Sequence, residues 1–275
     1  AEIWIADYEK GLVKAEGSVF ERYNINSPYG ALDGELFFHK KKLYVAGGSI
    51  NDAWNYQFNG TGFFTYDGNE WKDYNRFTLP WMDTVLDVIS VTVDPRDETI
   101  YAGSFGGGLV EMKTTSSFKI YKQNSPLNVA IGDPNNYRVG GMAFDNSNNL
   151  WISNFAGSNN FLVKKADGNW RSFRVPFLVQ DNMVGAVLID DADQKWIQVP
   201  QGNGLFCYNH GASIDNTGDD RWKWFQTGRG SGNLPSNMVN CMAKDKDGFI
   251  WLGTDKGIAI IQCPADVFTG NGCEA

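Results

Sequence analysis

The stretch Ile250-Trp251-Leu252-Gly253-Thr254-Asp255-Lys256-Gly257-Ile258 decides the fold. An aromatic residue between aliphatics makes a strand, Gly-Thr closes it, two residues turn, and a second strand opens on Gly257. The same order recurs in Ile3-Trp4-Ile5-Ala6-Asp7 with Gly11-Leu12-Val13, in Leu43-Tyr44-Val45-Ala46-Gly47 with Gly62-Phe63-Phe64, and in Ile100-Tyr101-Ala102-Gly103-Ser104 with Gly108-Leu109-Val110. Leu150-Trp151-Ile152-Ser153-Asn154 with Phe161-Leu162-Val163, and Lys195-Trp196-Ile197-Gln198 with Gly204-Leu205-Phe206, complete six copies. The aromatic anchors at 4, 44, 101, 151, 196 and 251 are spaced by 40, 57, 50, 45 and 55 residues. That period is too long for a leucine-rich or helical repeat and suits four strands with their turns.

Ahead of most anchors stands an alternating strand that ends in Asp: Val91-Thr92-Val93-Asp94, Gly141-Met142-Ala143-Phe144-Asp145, Val187-Leu188-Ile189-Asp190 and Cys241-Met242-Ala243-Lys244-Asp245. Turn formers follow, so these strands form hairpins with the anchor strands. An aromatic strand closes each unit, as in Glu70-Trp71-Lys72-Asp73-Tyr74 and Trp222-Lys223-Trp224-Phe225. Each unit is therefore a four-stranded antiparallel meander with two apolar faces, which finds cover only between neighbours arranged around an axis. The expected fold is an all-β propeller, since a sandwich or open solenoid would not explain the repeat. Six units are visible, giving a six-bladed ring or an incomplete seven-bladed one. The first lacks its innermost strand, and Asp266-Val267-Phe268-Thr269-Gly270 makes a poor outer strand for the sixth. Residues 1–275 read as one propeller domain that starts inside a structural unit, as a piece of a larger protein does.

Composition narrows the function. The net charge is −8 and the longest basic run is Lys40-Lys41-Lys42, which argues against nucleic acid as a partner. No run of 18 apolar residues is present, so no membrane-spanning helix is expected, and the N-terminus carries no signal-peptide pattern. Cys263 and Cys273, near the end, either bridge a terminal loop, which implies an oxidising compartment, or remain free. Cys207 and Cys241 read as small core residues. His39 and His210 read as solvated turn residues, with no third group placed for a nucleophilic triad. Asp190-Asp191, Asp193 and Asp219-Asp220 read as hairpin residues rather than as the facing acids of a glycosidase. Asp245-Lys246-Asp247-Gly248 opens like a calcium loop, but position 256 is Lys where the bidentate Glu belongs. Gly106-Gly107-Gly108 precedes a strand and reads as a turn. No catalytic residue, metal site or cofactor is expected.

Attention therefore moves to aromatics outside the repeat. The anchors themselves read as inter-blade packing. The insertion from Ser49 to Asn59 joins the second and third strands of its unit and places Trp54, Tyr56 and Phe58 on alternate positions. Loops of this kind share one face of a propeller with the inter-blade connections, and they converge near the axis. The equivalent loops carry Tyr8, Phe105, Phe155, Asn159 and Asp255, and the connections carry Tyr29, Trp81 and Tyr137. Flat rings beside Asn and Asp suit sugar rings, whose C–H faces stack and whose hydroxyls need acceptors. The competing reading has the same rings closing the top of the propeller.

The repeat around Trp251 resembles the two-component regulator propeller repeat, widespread in periplasmic sensors of Bacteroidetes. A closer resemblance is to PorZ-like accessory proteins of type IX secretion. It is carried by the N-terminal repeat, Tyr101-Ala102-Gly103-Ser104-Phe105-Gly106-Gly107-Gly108-Leu109, Ile131-Gly132-Asp133-Pro134, Asp219-Asp220-Arg221-Trp222 and Asn233-Leu234-Pro235-Ser236. This resemblance implies a non-enzymatic, periplasmic or surface-exposed propeller that helps a sortase link secreted cargo to lipopolysaccharide. Its partners would be a glycan or lipopolysaccharide and a sortase-like protein. The chain is far shorter than that family's pattern, which adds a second propeller and a sorting domain. The alternative implied reading is the oligosaccharide-sensing propeller of a hybrid two-component regulator.

Overall fold

The computed structural model describes residues 2–7, 11–23, 26–30, 34–270 and 272–275. Its strands form six antiparallel meanders. Sheet 1 holds β1 (Glu2–Asp7), β2 (Gly11–Glu16) and β3 (Val19–Tyr23). Sheet 2 holds β4 (Leu36–His39), β5 (Lys42–Ala46), β6 (Phe63–Tyr66) and β7 (Trp71–Tyr74). Sheet 3 holds β8 (Val88–Val93), β9 (Ile100–Ser104), β10 (Gly108–Thr114) and β11 (Ser117–Tyr121). Sheet 4 holds β12 (Val139–Phe144), β13 (Leu150–Asn154), β14 (Phe161–Lys164) and β15 (Trp170–Phe173). Sheet 5 holds β16 (Val187–Ile189), β17 (Lys195–Gln198), β18 (Leu205–Asn209) and β19 (Arg221–Phe225), and sheet 6 holds β20 (Val239–Lys244), β21 (Ile250–Thr254) and β22 (Gly257–Ile261). The fold is the all-β propeller expected from the repeat.

The Asp that ends the first strand of a blade ties its hairpin together. Asp145 Oδ1 accepts from the backbone N–H of Ser147 at 2.9 Å and of Asn149 at 2.8 Å, while its Oδ2 accepts the indole N–H of Trp151 at 2.8 Å. Asp190 with Trp196 and Asp245 with Trp251 repeat the indole bond at 2.8 and 2.7 Å. One carboxylate thus shapes the turn and orients the anchor ring. The last turn residue but one sits at positive φ in all three hairpins, at Asn148, Asp193 and Gly248, which explains why Asn, Asp and Gly occupy it.

Anchors pack one blade on the next. Trp151 is fully buried, with the rings of Phe161 and Phe173 at 5.2 and 5.8 Å in its own sheet and Tyr208 of sheet 5 edge-on at 5.7 Å. Trp196 joins Leu205 and Cys207 against Ile250, Leu252 and Ala259 of sheet 6. Burial of such a ring is worth about 3–5 kcal/mol when truncated to Ala. Trp4 and Trp251 depart from the expected inter-blade packing. They are 50% and 40% exposed, because the faces they occupy on sheets 1 and 6 are open.

After β22 the chain makes a 3-10 turn (Pro264–Asp266), and Cys263 is bridged to Cys273. The tail returns to sheet 5, where Lys223 Nζ donates to the Cys273 carbonyl at 2.7 Å and Arg221 to that of Phe268 at 3.2 Å. Residues 266–270 therefore form no outer strand. Two single-residue expectations also change. Cys207 is buried as read, but Cys241 is exposed because it lies opposite Gly253 on the open face of sheet 6. His210 is half-buried against Lys195 rather than solvated. No helix among the described residues is long and apolar enough to cross a membrane.

Candidate functional site

The inner strands β4, β8, β12, β16 and β20 line a central channel of about 600 Å³. Its walls are largely apolar, with Phe37, Val93, Met142, Phe144, Leu188 and Met242, and Glu35 lies among them. The Glu35 side chain meets open channel space, yet protein surrounds it deep within the ring. That burial pushes its carboxyl up to about 8, with the Val91 backbone N–H opposing the shift.

One end of the channel is covered by the insertion between β5 and β6. Asn51 Oδ1 accepts from the backbone N–H groups of Ala53 and Asn55 at 3.1 and 2.9 Å, and a bridge pairs Ile50 with Tyr56. The backbone N–H groups of Gln57, Phe58 and Asn59 all donate to the buried Asp87 carboxylate, at 2.9, 2.8 and 2.9 Å. These anchors hold the loop over the axis. Trp54 lies parallel to Phe155 of blade 4, centroids 5.3 Å apart at 1°, and Phe105 of blade 3 meets Phe155 at 4.7 Å. Gln201 of blade 5 donates to the Ala53 carbonyl at 3.3 Å. Gly185 makes room for the indole, since a Cβ there would stand 2.6 Å from Trp54 Cη2.

A charged layer completes the plug. The Arg138 guanidinium lies 5.0, 5.3 and 5.8 Å from the ring centres of Tyr56, Phe105 and Phe155 and forms a 2.8 Å ion pair with Asp133. Asp133 also accepts from the Tyr56 hydroxyl at 3.1 Å and from Asn136 at 2.7 Å. Burial opposes its charge, but the hydrogen bonds from Asn136, Arg138 and Tyr56 outweigh it and hold the carboxyl below the usual range.

The residues expected to form a site are placed as follows. Trp54, Tyr56, Phe105 and Phe155 come together, but Phe105 and Phe155 are buried beneath the indole and offer no ring face to a ligand. Phe58 is 69% exposed, with its ring edge-on to Tyr56 at 4.7 Å. Tyr137 lines a shallow depression of about 520 Å³ with Gln123, Leu127, Asn128, Ile131 and Ser158. Asn159 borders it, its backbone N–H donating to Asn128 Oδ1 at 2.8 Å. Asp255 is exposed on the β21–β22 turn. Trp81 does not join them. It stacks on Phe118 at 3.9 Å and donates to the Thr115 carbonyl, a wedge between sheets 2 and 3. Tyr29 packs on Phe77 beside sheet 2, and Tyr8 lies outside the described residues. Arg138, Asp133 and Asp87 escaped the sequence reading, because single charged residues in connections carry no periodic signal.

Comparison with known proteins agrees with this architecture. The two-component regulator propeller model matches residues 233–256. No curated protein matches the chain. PorZ, a surface component of the type IX secretion system of Porphyromonas gingivalis, superposes with a TM-score of 0.76 at 25% identity over 96% of this chain. The match takes in 38% of the PorZ chain, so this chain spans well under half of that protein's length. An extracellular domain assigned to a hybrid two-component system of B. thetaiotaomicron matches over 98% of this chain and 33% of its own, with a TM-score of 0.59 at 15% identity. Virginiamycin B lyase of Staphylococcus aureus shares the fold at 14% identity and a TM-score of 0.54, over 86% of this chain and 69% of its own. The chain is an all-β propeller that matches the two-component regulator propeller repeat over residues 233–256 and is similar along nearly its whole length to part of PorZ.

Proposed function

We propose that the chain is a non-enzymatic binding propeller of the periplasm or cell surface, which holds a glycan and a protein partner on its plugged face. The observation that carries this reading is the Trp54 plug. Its indole stacks on Phe155 and covers Phe105 and Phe155, which leaves Trp54, Tyr56 and Phe58 as the rings nearest the surface of the loop face. Phe58, Tyr137, Asn159 and Asp255 are its accessible aromatic and polar groups, with Trp54 and Tyr56 as the platform between them. Asp190 has structural work, since both its oxygens are taken by Gln194 and Trp196. The Cys263–Cys273 bridge supports an oxidising compartment. Similarity to PorZ, a surface component of the type IX secretion system, supports a role in that system; lipopolysaccharide as the glycan and a sortase-like protein as the partner are what the sequence resemblance implies.

Similarity to the B. thetaiotaomicron extracellular domain favours a second reading, an oligosaccharide sensor. Calorimetry with purified lipopolysaccharide and with free oligosaccharides separates the two. The first reading expects lipopolysaccharide binding that weakens at least tenfold in Phe58→Ala/Tyr137→Ala. Binding of free oligosaccharide alone favours the sensor. Glycan turnover lost in Asp255→Asn would overturn the non-enzymatic reading.

A further inference from the structure

Each inter-blade contact has two sides. One sheet presents its anchor face, and the following sheet presents a face built from the aliphatics on either side of its own anchor. Trp196 of sheet 5 lies in one cluster with Ile250 and Leu252 of sheet 6. Tyr101 of sheet 3 does the same with Leu150 and Ile152 of sheet 4. Three sheets break the pattern by leaving such faces open. Sheet 6 exposes its anchor face at Trp251 and Ile258, and sheet 2 exposes the opposite kind of face at Leu36 and Phe38. Sheet 1 exposes both kinds, Ile3, Ile5 and Phe20 on one side and Trp4, Leu12 and Tyr23 on the other.

From this complementarity we infer that sheet 1 inserts between sheets 6 and 2 of the same chain and closes a six-bladed ring. Ile3 and Ile5 hold the positions in their repeat that Ile250 and Leu252 hold in theirs, so they meet Trp251 as those residues meet Trp196. Trp4 in turn meets Leu36 and Phe38. The interface continues, in the same residue types, the one already formed between neighbouring interior sheets, and it removes from water the four open apolar faces together. In the open arrangement, the segment after sheet 1 is held to sheet 2 by Asn26, whose side chain bonds the Trp71 backbone N–H at 2.6 Å and carbonyl at 3.0 Å, and by the Tyr29 backbone on Asp73 at 3.0 Å. The Asn26 bonds are exposed, so water replaces them on closure. Residues 24–35, which join β3 to β4, reach up to about 40 Å when extended, enough to cross a blade.

Cys241 is a native reporter. It lies on the open face of sheet 6, whereas Cys207 is buried and Cys263 and Cys273 are bridged. Thiol labelling of the full chain, followed by mass spectrometry and with the mass in solution measured by light scattering, tests closure. We expect Cys241 of the monomer to label at least tenfold more slowly than in Ile3→Asp/Ile5→Asp, with Leu36→Asp/Phe38→Asp giving the same release from a distant face. Unlabelled Cys207 in each variant verifies that the interior blades stay folded. Labelling of Cys241 as fast in the native chain as in the variants overturns the proposal. Protection that appears only in a dimer also overturns it, assigning the slot to a second copy.

Discussion

Lys195 Nζ lies 2.9 Å from His210 Nδ1 and 4.7 Å from the centre of the Trp151 ring, with no solvent contact at the Lys195 side chain. Asp193 Oδ2, 3.1 Å away, is its carboxylate partner. A lysine is therefore sealed between blades 4 and 5, with burial lowering its pKa, beside a histidine expected to be a solvated turn residue.

Burial, and then the Lys195 charge, lower the pKa of His210 below its ordinary 6.5. Above that value the folded and unfolded chains both carry the neutral ring. As the pH falls through it, the unfolded chain takes up the proton first, and stability is lost. Thermal melts between pH 5 and 8 should show this acid-side loss in the native chain and a smaller one in His210→Asn. An equal loss in the variant would assign the effect to other groups.

Glu35 acts with the opposite sign. Its folded carboxyl stays protonated up to about 8, against an ordinary 4.5. Its contribution is complete below about 4.5 and disappears as the pH rises through about 8, where the channel must accept a charge. Glu35→Gln should flatten denaturant midpoints across this window. Carbonyl-carbon NMR of the carboxyl gives the direct check, and a midpoint near 4.5 would refute the shift.

The Asp–Trp pairs should differ in weight with burial. Asp190→Ala strands the indole N–H of the fully buried Trp196 and the amides of Gln194, at a cost of about 2–3 kcal/mol. Asp245→Ala distinguishes the two arrangements: with Trp251 open to water it should cost less than about 1 kcal/mol, and with the ring closed over Trp251 its cost should approach that of Asp190→Ala. Urea unfolding of the two variants makes the comparison. A large Asp245→Ala loss would point to Trp251 being covered.

Removing the plug should open the channel without unfolding the blades. Trp54→Ala loses a half-buried ring stacked on Phe155 and should cost about 2–3 kcal/mol. Gly185→Ala should displace the same indole, because the new Cβ collides with it. Both variants should change the near-ultraviolet circular dichroism and gain binding of an apolar dye, with the far-ultraviolet spectrum retained.

Much of this was legible in the chain. Six anchors, the Asp-ended strands and the shortened terminal units could be read as six meanders, because each blade's strand order is local and its apolar alternation repeats. The insertion carrying Trp54 was also legible, as a break in that period. Its outcome was not. Whether Phe105 and Phe155 present their faces or bury them depends on Gly185, Arg138 and Asp87, which approach from three other connections.

Sequence alone therefore determined the blade, since hairpin pairing and two apolar faces follow from residues within about fifty positions of one another. The tertiary structure alone decided what happens at the axis and the seam. The plug, the sealed Lys195 and the seam at which Trp4, Cys241 and Trp251 lie all arise where segments far apart in the chain come together. Burial is a property of that meeting and leaves no local pattern to read.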